Sequence, residues 1–563
     1  MKYLIFKVTA FKITAQFTFK MRKYKWFFLK VFTIMIYIFH SSFLKADAGI
    51  EWVVTYNNNS VNLGEVPVAI ALDDSGNTFV TGYSTGSSAN NDFATVKYNS
   101  NGIQKWVNRF IGTGDFDDKP TSIVTDNSGN VYVTGGAYMS NTGYDFITIK
   151  YNTSGQQQWI KYFNGFVGGG SDLPKTIKVD NLGNVIVTGM TQTAISAYDI
   201  FTIKYDQDGN VIWTKQYNGS GNLDDKPYSM FIDKQNNVYV TGSIRNNMNN
   251  DDIITIKYNL NGVQEWAKTY NGTGNDDDRG IGVASDIHNN IYVGGYAHNG
   301  SSTGYDFVLI KYNSAGDQQF LKTLNYSGSS QDIADVMTMD SFSNIYITGN
   351  ISFYNCFTCK YDTAGNLQWS RVASTCTPTA IEADNSGNVY IAGKTSQTLS
   401  DYMLIKYDVS GALKWSEFYD GPEHSKDYGT SMVIDQNRNI YLTGSSLNNG
   451  TSWDYATIKY SEPLGIQLLS TGFPETYKLF QNYPNPFNPN TVICYTIKIS
   501  LDSKVNLTVY NSSGKDIETL VNEQQSKGSY NVKFEGSHLA SGIYFYKLSV
   551  GEFSEVKKMV LLK

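Results

Sequence analysis

One short phrase recurs eight times along the chain, and it constrains the fold more than any other feature. In its clearest form it runs from Asp126 to Gly135: an aspartate, a Gly/Asn turn, an apolar strand and a closing Thr-Gly pair. The closing glycines lie 44 to 54 residues apart, at Gly82, Gly135, Gly189, Gly242, Gly295, Gly349, Gly393 and Gly444. A period of this length indicates stacked structural units, each of which is too small to bury a core alone.

Two further phrases share the same period. A Lys-Tyr pair ends a β-branched run in every unit, with its lysines at Lys97, Lys150, Lys204, Lys257, Lys311, Lys360, Lys406 and Lys459. A large aromatic residue closes seven units, at Trp106, Trp159, Trp213, Trp266, Phe320, Trp369 and Trp415. In the second unit, four strands are predicted at about 120-125, 131-135, 145-151 and 157-163, joined by Asn/Ser/Gly hairpin turns. Four-stranded antiparallel units at this period predict an all-β fold, an eight-bladed β-propeller spanning residues 49-460.

The two ends of the repeat region complement each other. The eighth unit stops at Tyr460 without its aromatic strand, and the segment Glu51–Tyr56 matches the strand around Trp159. The N-terminal strand is therefore predicted to complete the last blade and close the ring, which removes exposed sheet edges. An open array is the alternative, but it would not need complementary ends.

On these phrases, residues 51-460 resemble the SBBP β-propeller repeat family. The resemblance implies the fold and says little about function, because the family is defined by its architecture. The sixth unit departs from the pattern: its loops are shorter, and Phe353 to Cys359 replaces the usual Tyr-Asp-Phe entry to the third strand.

Aspartates at the turn between the first two strands occur in all eight units. Their position suits an Asx-turn, and the Lys-Tyr lysines are expected at the same end of each blade, so one Asp–Lys pair per blade is predicted. Such a series is interpreted as scaffold. Its members are Asp73, Asp126, Asp180, Asp233, Asp286, Asp340, Asp384 and Asp435.

Two more acidic series are expected at the opposite end of the blades. The first precedes the inner strand: Glu65, Asp118, Asp172, Asp225, Asp278, Asp332 and Asp427, with Cys376 in the remaining unit. The second precedes the third strand: Asp92, Asp145, Asp199, Asp252, Asp306, Asp401 and Asp454, with Asn355 in the remaining unit. Together they would focus a negative potential suited to Ca²⁺ or a cationic ligand. The alternative is that these carboxylates cap loop amides.

Composition and motifs give no support for catalysis. The sequence has no G-x-S-x-G elbow, no H-E-x-x-H, no P-loop and no Rossmann fingerprint. Four cysteines and five histidines offer no metal cluster, and no cofactor is predicted. The formal charge of -6 disfavours nucleic acid as a partner. Cys356 and Cys359 should lie on opposite faces of one strand, and a disulfide from one of them to Cys376 is considered beside simple thiol packing.

The first 48 residues have the pattern of a secretory signal. A basic start after Met21 precedes an apolar run and a c-region that ends Ala46-Asp47-Ala48, so cleavage is predicted between Ala48 and Gly49. Met21 is the better start of this signal, and no later segment is long and apolar enough to span a membrane.

The C-terminal part has a different organisation. Residues 461-475 contain Pro and Gly and are predicted to be a linker, and residues 476-563 to form a small immunoglobulin-like β-sandwich of short alternating strands. The sequence motif of this part is Tyr483-Pro484-Asn485-Pro486-Phe487-Asn488-Pro489, followed by Gly542, Tyr544, Lys557 and Met559 within later motifs.

These motifs closely resemble the type A C-terminal sorting domain of the type IX secretion system. The resemblance implies a Gram-negative source, export through the periplasm, contact with the secretion machinery, and secretion or display on the cell surface. It also implies removal of the domain and release of the cargo or its anchoring to lipopolysaccharide. We therefore expect a non-catalytic binding or structural propeller whose glycan or protein ligand is unknown. The alternative is a secreted polysaccharide hydrolase or lyase with carboxylates in the propeller funnel.

Overall fold

The computed structural model describes most of the chain after residue 48. The described residues are 49–58, 64–86, 90–165, 170–193, 197–248, 250–300, 304–326, 331–351, 355–396, 399–448, 452–461, 467–470, 477–482, 484–498, 503–525 and 528–562. Within these ranges the chain forms strands and turns, and none of it is an apolar helix of the length that crosses a bilayer. The predicted signal peptide, with Ala46 and Ala48, and Tyr483 of the sorting motif lie outside the described residues, as does Phe353.

The first half of the described chain forms strand β1 and four antiparallel sheets of four strands each. Strand β1 spans Gly49–Tyr56. Sheet 1 contains β2 (Glu65–Leu72), β3 (Thr78–Thr85), β4 (Asn91–Tyr98) and β5 (Gln104–Phe110). Sheet 2 contains β6 (Lys119–Thr125), β7 (Val131–Met139), β8 (Gly143–Tyr151) and β9 (Gln157–Phe163). Sheet 3 contains β10 (Asp172–Val179), β11 (Val185–Gln192), β12 (Tyr198–Tyr205) and β13 (Val211–Tyr217). Sheet 4 contains β14 (Asp225–Ile232), β15 (Val238–Arg245), β16 (Asp251–Tyr258) and β17 (Gln264–Tyr270).

Four more sheets follow in the same order. Sheet 5 contains β18 (Arg279–Ser285), β19 (Ile291–His298), β20 (Tyr305–Tyr312) and β21 (Gln318–Leu324). Sheet 6 contains β22 (Ile333–Met339), β23 (Ile345–Ile351), β24 (Asn355–Tyr361) and β25 (Leu367–Ser374). Sheet 7 contains β26 (Cys376–Ala383), β27 (Val389–Thr395), β28 (Tyr402–Tyr407) and β29 (Leu413–Tyr419). Sheet 8 contains β30 (Asp427–Ile434), β31 (Ile440–Asn448) and β32 (Ser452–Ser461), and its fourth strand is β1.

Each sheet packs against the next through its first strand. Strand β2 contacts β6, β6 contacts β10, and the series continues to β26 and β30, which in turn contacts β2. The closing glycine of each unit lies against the backbone of the first strand of its own sheet. A Cβ on Gly82 would stand 2.2 Å from the carbonyl oxygen of Val66, and on Gly349 it would stand 2.0 Å from that of Ile333. A side chain at this position would therefore force the first two strands apart, which explains why all eight units have glycine there.

Strand β1 pairs with β32 in the same way that the fourth strand of each other sheet, which contains the repeated aromatic residue, pairs with the third strand. Trp52 lies opposite Lys459, just as Trp106 lies opposite Lys97 in sheet 1. The Trp52 indole donates a hydrogen bond to the carbonyl of Ser100 in sheet 1, at 3.1 Å. The N-terminal strand thus occupies the position that the missing aromatic strand of the eighth unit would take.

The lysine and tryptophan series join neighbouring sheets. Lys150 Nζ and Trp159 Nε1 both donate to the carbonyl of Gln207 in the following sheet, at 2.9 and 3.0 Å. Lys150 also lies 5.3 Å above the Tyr132 ring. Among the described residues, an ion pair with the turn aspartate is recorded at Lys204–Asp180, 2.8 Å. The predicted pair is thus present in sheet 3, where Lys204 also donates to the Leu260 carbonyl of the next sheet, while in the other sheets one such pair per blade stays a prediction.

The tryptophans also explain a second set of glycines. Gly155, in the hairpin between β8 and β9, has φ of 86°, and a Cβ there would lie 2.7 Å from the Trp106 ring of sheet 1. Glycine is required at this position for two reasons: the backbone is left-handed, and the indole approaches too closely for a side chain.

The turns between the first two strands lie at one end of the sheets, and we call this end the turn face. At Asp126, Oδ1 accepts the amides of Ser128 and Asn130, both at 2.9 Å, and Oδ2 accepts the Asn130 amide group at 2.8 Å. The Tyr132 hydroxyl also donates to Oδ2, at 3.0 Å. The same Asx-turn bonds recur at all eight turn aspartates, so the scaffold interpretation of this series is confirmed.

The C-terminal residues form two further four-stranded antiparallel sheets. One contains β33 (Gln467–Ser470), β34 (Lys478–Leu479), β35 (Asn490–Ile497) and β38 (Gly528–Glu535). The other contains β36 (Ser503–Asn511), β37 (Asp516–Gln525), β39 (Gly542–Val550) and β40 (Phe553–Leu561). A continuous apolar core lies between them, with Ile493, Leu507 and Tyr546 fully buried. Strand β33 lies inside the segment predicted as the 461-475 linker, because it pairs with β38.

The proline-rich motif of this part is a packing element. The Phe487 side chain is 2% exposed within the core, and its backbone amide donates to the Val560 carbonyl at 2.9 Å. Asn485 Oδ1 accepts the Val560 amide, also at 2.9 Å. The motif therefore holds the last strand, β40, which carries Lys557 and the buried Met559.

Candidate functional site

The first acidic series lies at the end of the sheets opposite the turn face, and we call this end the loop face. Asp118 is 1% exposed, and its two carboxylate oxygens accept the amides of Gly112 at 2.5 Å and Tyr138 at 2.8 Å. Asp278 accepts the amides of Gly272 and His298 in the same way, at 2.5 and 2.8 Å. Bonds to the loop six or seven residues upstream recur across the series, at Asp172, Asp225, Asp332 and Asp427.

Burial makes several of these carboxyls weaker acids than usual. It raises the pKa of Glu65, Asp225 and Asp278 to about 7, and that of Asp118 to about 6. Neighbouring carboxylates add to the effect, for example Asp454 beside Glu65, while the amide hydrogen bonds oppose it. The series therefore caps loop amides at the cost of burying negative charge.

The second acidic series has different partners in different sheets. Asp92 forms an ion pair with Arg109 at 2.9 Å, and Asp145 accepts a hydrogen bond from the Thr142 hydroxyl at 2.7 Å. The remaining partners are Gln216 for Asp199, Asn246 for Asp252, Asn299 for Asp306, and Asn57 and Asn448 for Asp454. Both predicted series thus lie on the loop face, but most members already accept hydrogen bonds from this chain.

Three carboxylates meet at one place on this face. One oxygen each from Asp401, Asp420 and Asp427 lies within 4.8 Å of the others, and this is the metal-compatible group found among the described residues. Burial, and then the neighbouring carboxylates, raise the pKa of Asp401 and Asp427. Sequence reasoning missed Asp420, which follows β29 at a position that is not acidic in the other units; it lies 2.6 Å from His424 Nδ1. Three oxygen ligands suit Ca²⁺, whose binding to the loop face stays a prediction.

Both acidic series are interrupted at the junction of sheets 6 and 7, where Asn355 and Cys376 take the aspartate positions. A disulfide joins Cys356 to Cys376 here, which is one of the two alternatives that the sequence left open for these cysteines. Cys359 is buried on the other side of β24 as a free thiol, in agreement with the opposite faces predicted for this pair. A covalent link thus stands where the carboxylates are missing.

Two carboxyls on the first strands belong to no series, and sequence reasoning did not single them out. Burial raises the pKa of Asp335 on β22 to about 6, although the Asn350 amide donates to it at 2.7 Å. Burial also raises the pKa of Glu382 on β26 to about 7, and the charge of Lys178 on β10 opposes this shift. A carboxyl that titrates near neutrality can exchange protons with a ligand.

Known families match both parts of the chain. The secretion system C-terminal sorting domain matches residues 481–562, and a β-propeller repeat, SBBP, matches residues 105–136, 212–247 and 423–450. An uncharacterized WD repeat-containing protein of Acanthamoeba polyphaga mimivirus is 23% identical over 462 residues, which cover 65% of this chain. The match spans 32% of that relative's own length.

Solved structures give weaker likenesses. The Dos1 propeller aligns with a TM-score of 0.47 and 9% identity, covering 74% of this chain and 95% of the other. PorZ, an essential bacterial surface component of the type-IX secretion system of Porphyromonas gingivalis, aligns with a TM-score of 0.24 and 10% identity, covering 88% and 81%. NanB sialidase of Streptococcus pneumoniae aligns with a TM-score of 0.34 and 10% identity, covering 72% and 94%. No function follows from scores this low.

The repeats and the tail agree with the all-β sheets and the packed C-terminal motif described above. The chain thus contains β-propeller repeats and, at residues 481–562, a secretion system sorting domain, which points to export to the cell surface or secretion.

Proposed function

We propose that this protein is a non-catalytic binding module of the cell surface, with its loop face as the binding face. In this proposal the eight sheets are the blades of one propeller, and β1 closes the ring by completing the last blade. The cyclic contacts from β2 to β30 and the β1–β32 pairing support this architecture. The two C-terminal sheets form an immunoglobulin-like sandwich that delivers the propeller through the secretion machinery.

One contrast carries the proposal: the turn aspartates repeat their bonds in every sheet, whereas the second acidic series on the loop face changes partners from sheet to sheet. All eight turn aspartates make the same bonds, whereas the second acidic series finds an arginine, a threonine, a glutamine or an asparagine according to the sheet. Residues needed by every blade serve the scaffold, and residues that differ between blades can distinguish one ligand from another. The loop face is therefore the surface with the information for recognition.

Binding by paired variants of the two faces tests the proposal. The full chain is screened by calorimetry with Ca²⁺ and on arrays of glycans and matrix proteins. For any ligand found, Asp115→Ala/Asp276→Ala on the loop face should weaken binding at least about tenfold, a loss of about 1.4 kcal/mol. Lys234→Ala/Gln235→Ala on the turn face is the matched control and should bind normally. Loss of binding only in the turn-face variant would refute the assignment of the binding face.

A polysaccharide hydrolase or lyase is the second candidate, and Asp335 and Glu382 are the observation that favours it. Both are non-repeated carboxyls on neighbouring sheets, and their raised pKa values suit proton transfer near neutral pH. Release of new reducing or unsaturated ends from a polysaccharide, abolished by Glu382→Gln, would replace the non-catalytic proposal with this one.

A further inference from the structure

Aromatic ring pairs lie on the loop face of sheets 2, 5 and 8, each beside a cationic side chain, and the cation of the third pair, Lys394, comes from β27 of sheet 7. We call these three groups the ring stations: Lys119 with Tyr138 and Tyr144, Arg279 with His298 and Tyr305, and Lys394 with Tyr428 and Trp453. From them we infer that the loop face binds a neutral polysaccharide, with one sugar unit stacked at each ring station. This inference rests on the proposed binding function and names its ligand class.

The first two ring stations have the same construction. Tyr138 and Tyr144 have ring centroids 5.2 Å apart at 79°, and His298 and Tyr305 have theirs 5.1 Å apart at 64°. Tyr138 and His298 occupy equivalent positions, since each donates its backbone amide to the aspartate of its own sheet, Asp118 or Asp278, at 2.8 Å. An edge-to-face pair that recurs at one register, three sheets apart, is a built feature of this face.

The third ring station shares one ring position with the first two, that of Trp453, while Tyr428 takes the position that Lys119 and Arg279 have in their sheets. Trp453 immediately precedes an aspartate of the second series, as Tyr144 and Tyr305 do. Its ring stacks on Tyr428 at 5.0 Å and 27°, and Lys394 Nζ lies 4.5 Å above the Tyr428 ring. All three ring stations therefore combine a ring pair with a positive charge.

The rings are accessible. Tyr138, Tyr144, His298, Tyr305, Tyr428 and Trp453 are each partly exposed. Phe116 extends the first ring station, with its ring 4.3 Å from Tyr138 and 55% of its surface exposed. A ring pair with only a structural role would be covered by protein on both sides. The exposed surface of these rings is therefore available to a ligand.

Polar groups beside the rings match the hydroxyls of a sugar. Lys119 pairs with Asp117 at 2.8 Å, and Arg279 lies 3.7 Å from Asp277. A pyranose presents C–H groups to an aromatic face and hydroxyls around its edge, and hydroxyl hydrogen bonds to charged groups are among the stronger ones. The ring stations supply both kinds of contact side by side.

Charge selects the ligand among polymers that stack on rings. Single-stranded nucleic acids also stack on aromatic side chains, but they require a positive groove along the backbone. The chain has a formal charge of -6, and both acidic series lie on this same face. An anionic polymer would be repelled, and a neutral one would not.

Affinity electrophoresis of the full chain tests the inference. Native gels contain soluble β-glucan, galactomannan, xyloglucan or dextran as neutral probes, and polygalacturonate as the acidic probe. We expect at least one neutral polysaccharide to retard the protein. Because three linked sites act with avidity, Tyr144→Ala/Tyr305→Ala/Trp453→Ala should weaken binding by about 100-fold, and single variants by less.

Two controls separate binding from folding. Phe342→Ala removes a ring that is 62% exposed on the turn face and should leave retardation unchanged. Trp453→Phe keeps a stacking ring and should retain most of the binding that Trp453→Ala loses, with the same melting temperature.

Three results would overturn the inference: no retardation by any neutral probe, retardation by polygalacturonate alone, or full retardation of the triple variant. Capture of a protein or Ca²⁺ through the loop face, with no neutral polysaccharide bound, would leave the proposed function standing and remove the glycan inference.

Discussion

The turn face and the loop face terminate the same strands, yet the pKa values of Asp180 and Asp286 on the first and of Asp225 and Asp278 on the second shift in opposite directions. Burial alone would raise the pKa of Asp180 on the turn face, but hydrogen bonds from Lys204 and Asn184 outweigh it and lower the pKa. Asp286 likewise has a lowered pKa, because bonds from Asn290 and His288 outweigh burial. On the loop face, Asp225 and Asp278 each accept two backbone amides, and burial prevails. Three or four hydrogen-bond donors thus stabilise the charged form of a buried carboxyl. Two donors do not offset the effect of burial.

Under the proposed function, this difference separates the scaffold from the recognition surface. The turn face has well-satisfied carboxylates and uniform geometry, which suits a framework. On the loop face, hydrogen bonds do not fully offset the burial of carboxyls such as Asp225 and Asp278, and the side chains vary between sheets. Both properties suit contact with a partner. Four measurements can test this contrast, and they follow in descending order of the change expected.

Asp233→Ala should damage the framework most. Asp233 is 3% exposed and accepts hydrogen bonds from Gln235, Asn237 and the Tyr239 hydroxyl, at 2.8 to 3.0 Å. Because several donors lose their acceptor, we expect unfolding free energy to fall by about 4 kcal/mol in urea titrations. Asp206→Ala is the matched control, since Asp206 makes the same turn bonds in an exposed hairpin. If Asp206→Ala lowers the unfolding free energy as much as Asp233→Ala does, burial of the turn aspartate does not add to its stabilising effect.

Loss of the Cys356–Cys376 disulfide should cost slightly less. The bond joins sheets 6 and 7 across 20 residues of sequence. Loop-closure entropy for a link of this length predicts a loss of about 3 kcal/mol in Cys356→Ser/Cys376→Ser. Cys359→Ser is the control for thiol removal within the same strand. If the double variant is as stable as the unmodified protein, the disulfide does not stabilise the part of the loop face where the aspartates are absent.

Asp278→Ala should have a smaller effect than Asp233→Ala. Two amides, of Gly272 and His298, lose their acceptor, but an unfavourable buried charge disappears with them. We expect a loss of about 2 kcal/mol, measured by the same urea titration. Asp277→Ala, one residue earlier and partly exposed, is the control. A loss as large as that of Asp233→Ala would contradict the electrostatic contrast between the faces.

The two faces should also respond to pH in opposite directions. A raised folded pKa gives stability that is present below the unfolded value near 4 and lost as pH rises toward about 7, as for Glu65, Asp225 and Asp278. A lowered pKa, as for Asp180, gives stability that is lost as pH falls below about 4. The melting temperature should therefore peak near pH 4 to 5 and fall by a few degrees toward pH 8.

The double variant Asp225→Asn/Asp278→Asn isolates the alkaline side of this profile. It should be less stable overall, with a flatter decline between pH 5 and pH 8. An unchanged slope would show that other groups carry the pH dependence.

Periodicity allowed much of the scaffold to be predicted. The four strands of the second unit lie at β6 to β9 as expected, and the Asx-turns follow from an aspartate spaced two and four residues before the amides it accepts. Local spacing determines such bonds. The match between Trp52 and the other aromatic strands also predicted a pairing across almost the whole repeat region.

Contacts between sheets were harder to predict, because they join residues that share no local pattern. The Lys97 and Lys150 ammonium groups reach carbonyls 56 and 57 residues away in the next sheet, and no local spacing indicated these bonds. Asp420 joins Asp401 and Asp427 from a position that is not acidic in other units. The ring stations were also missed, since their members become neighbours only when adjacent strand ends meet.

The pairing of β1 with β32 joins two strands that lie far apart along the chain. Trp52 and its partner Lys459 are separated by about 400 residues, so this sheet forms only after the repeat region between them has been made. Until then both strands have an open edge, and closing so long a loop makes this one of the slowest contacts to form. The last sheet can therefore be completed only in a chain that contains the whole repeat region. A chain truncated before residue 452 keeps an unpaired strand edge that favours aggregation.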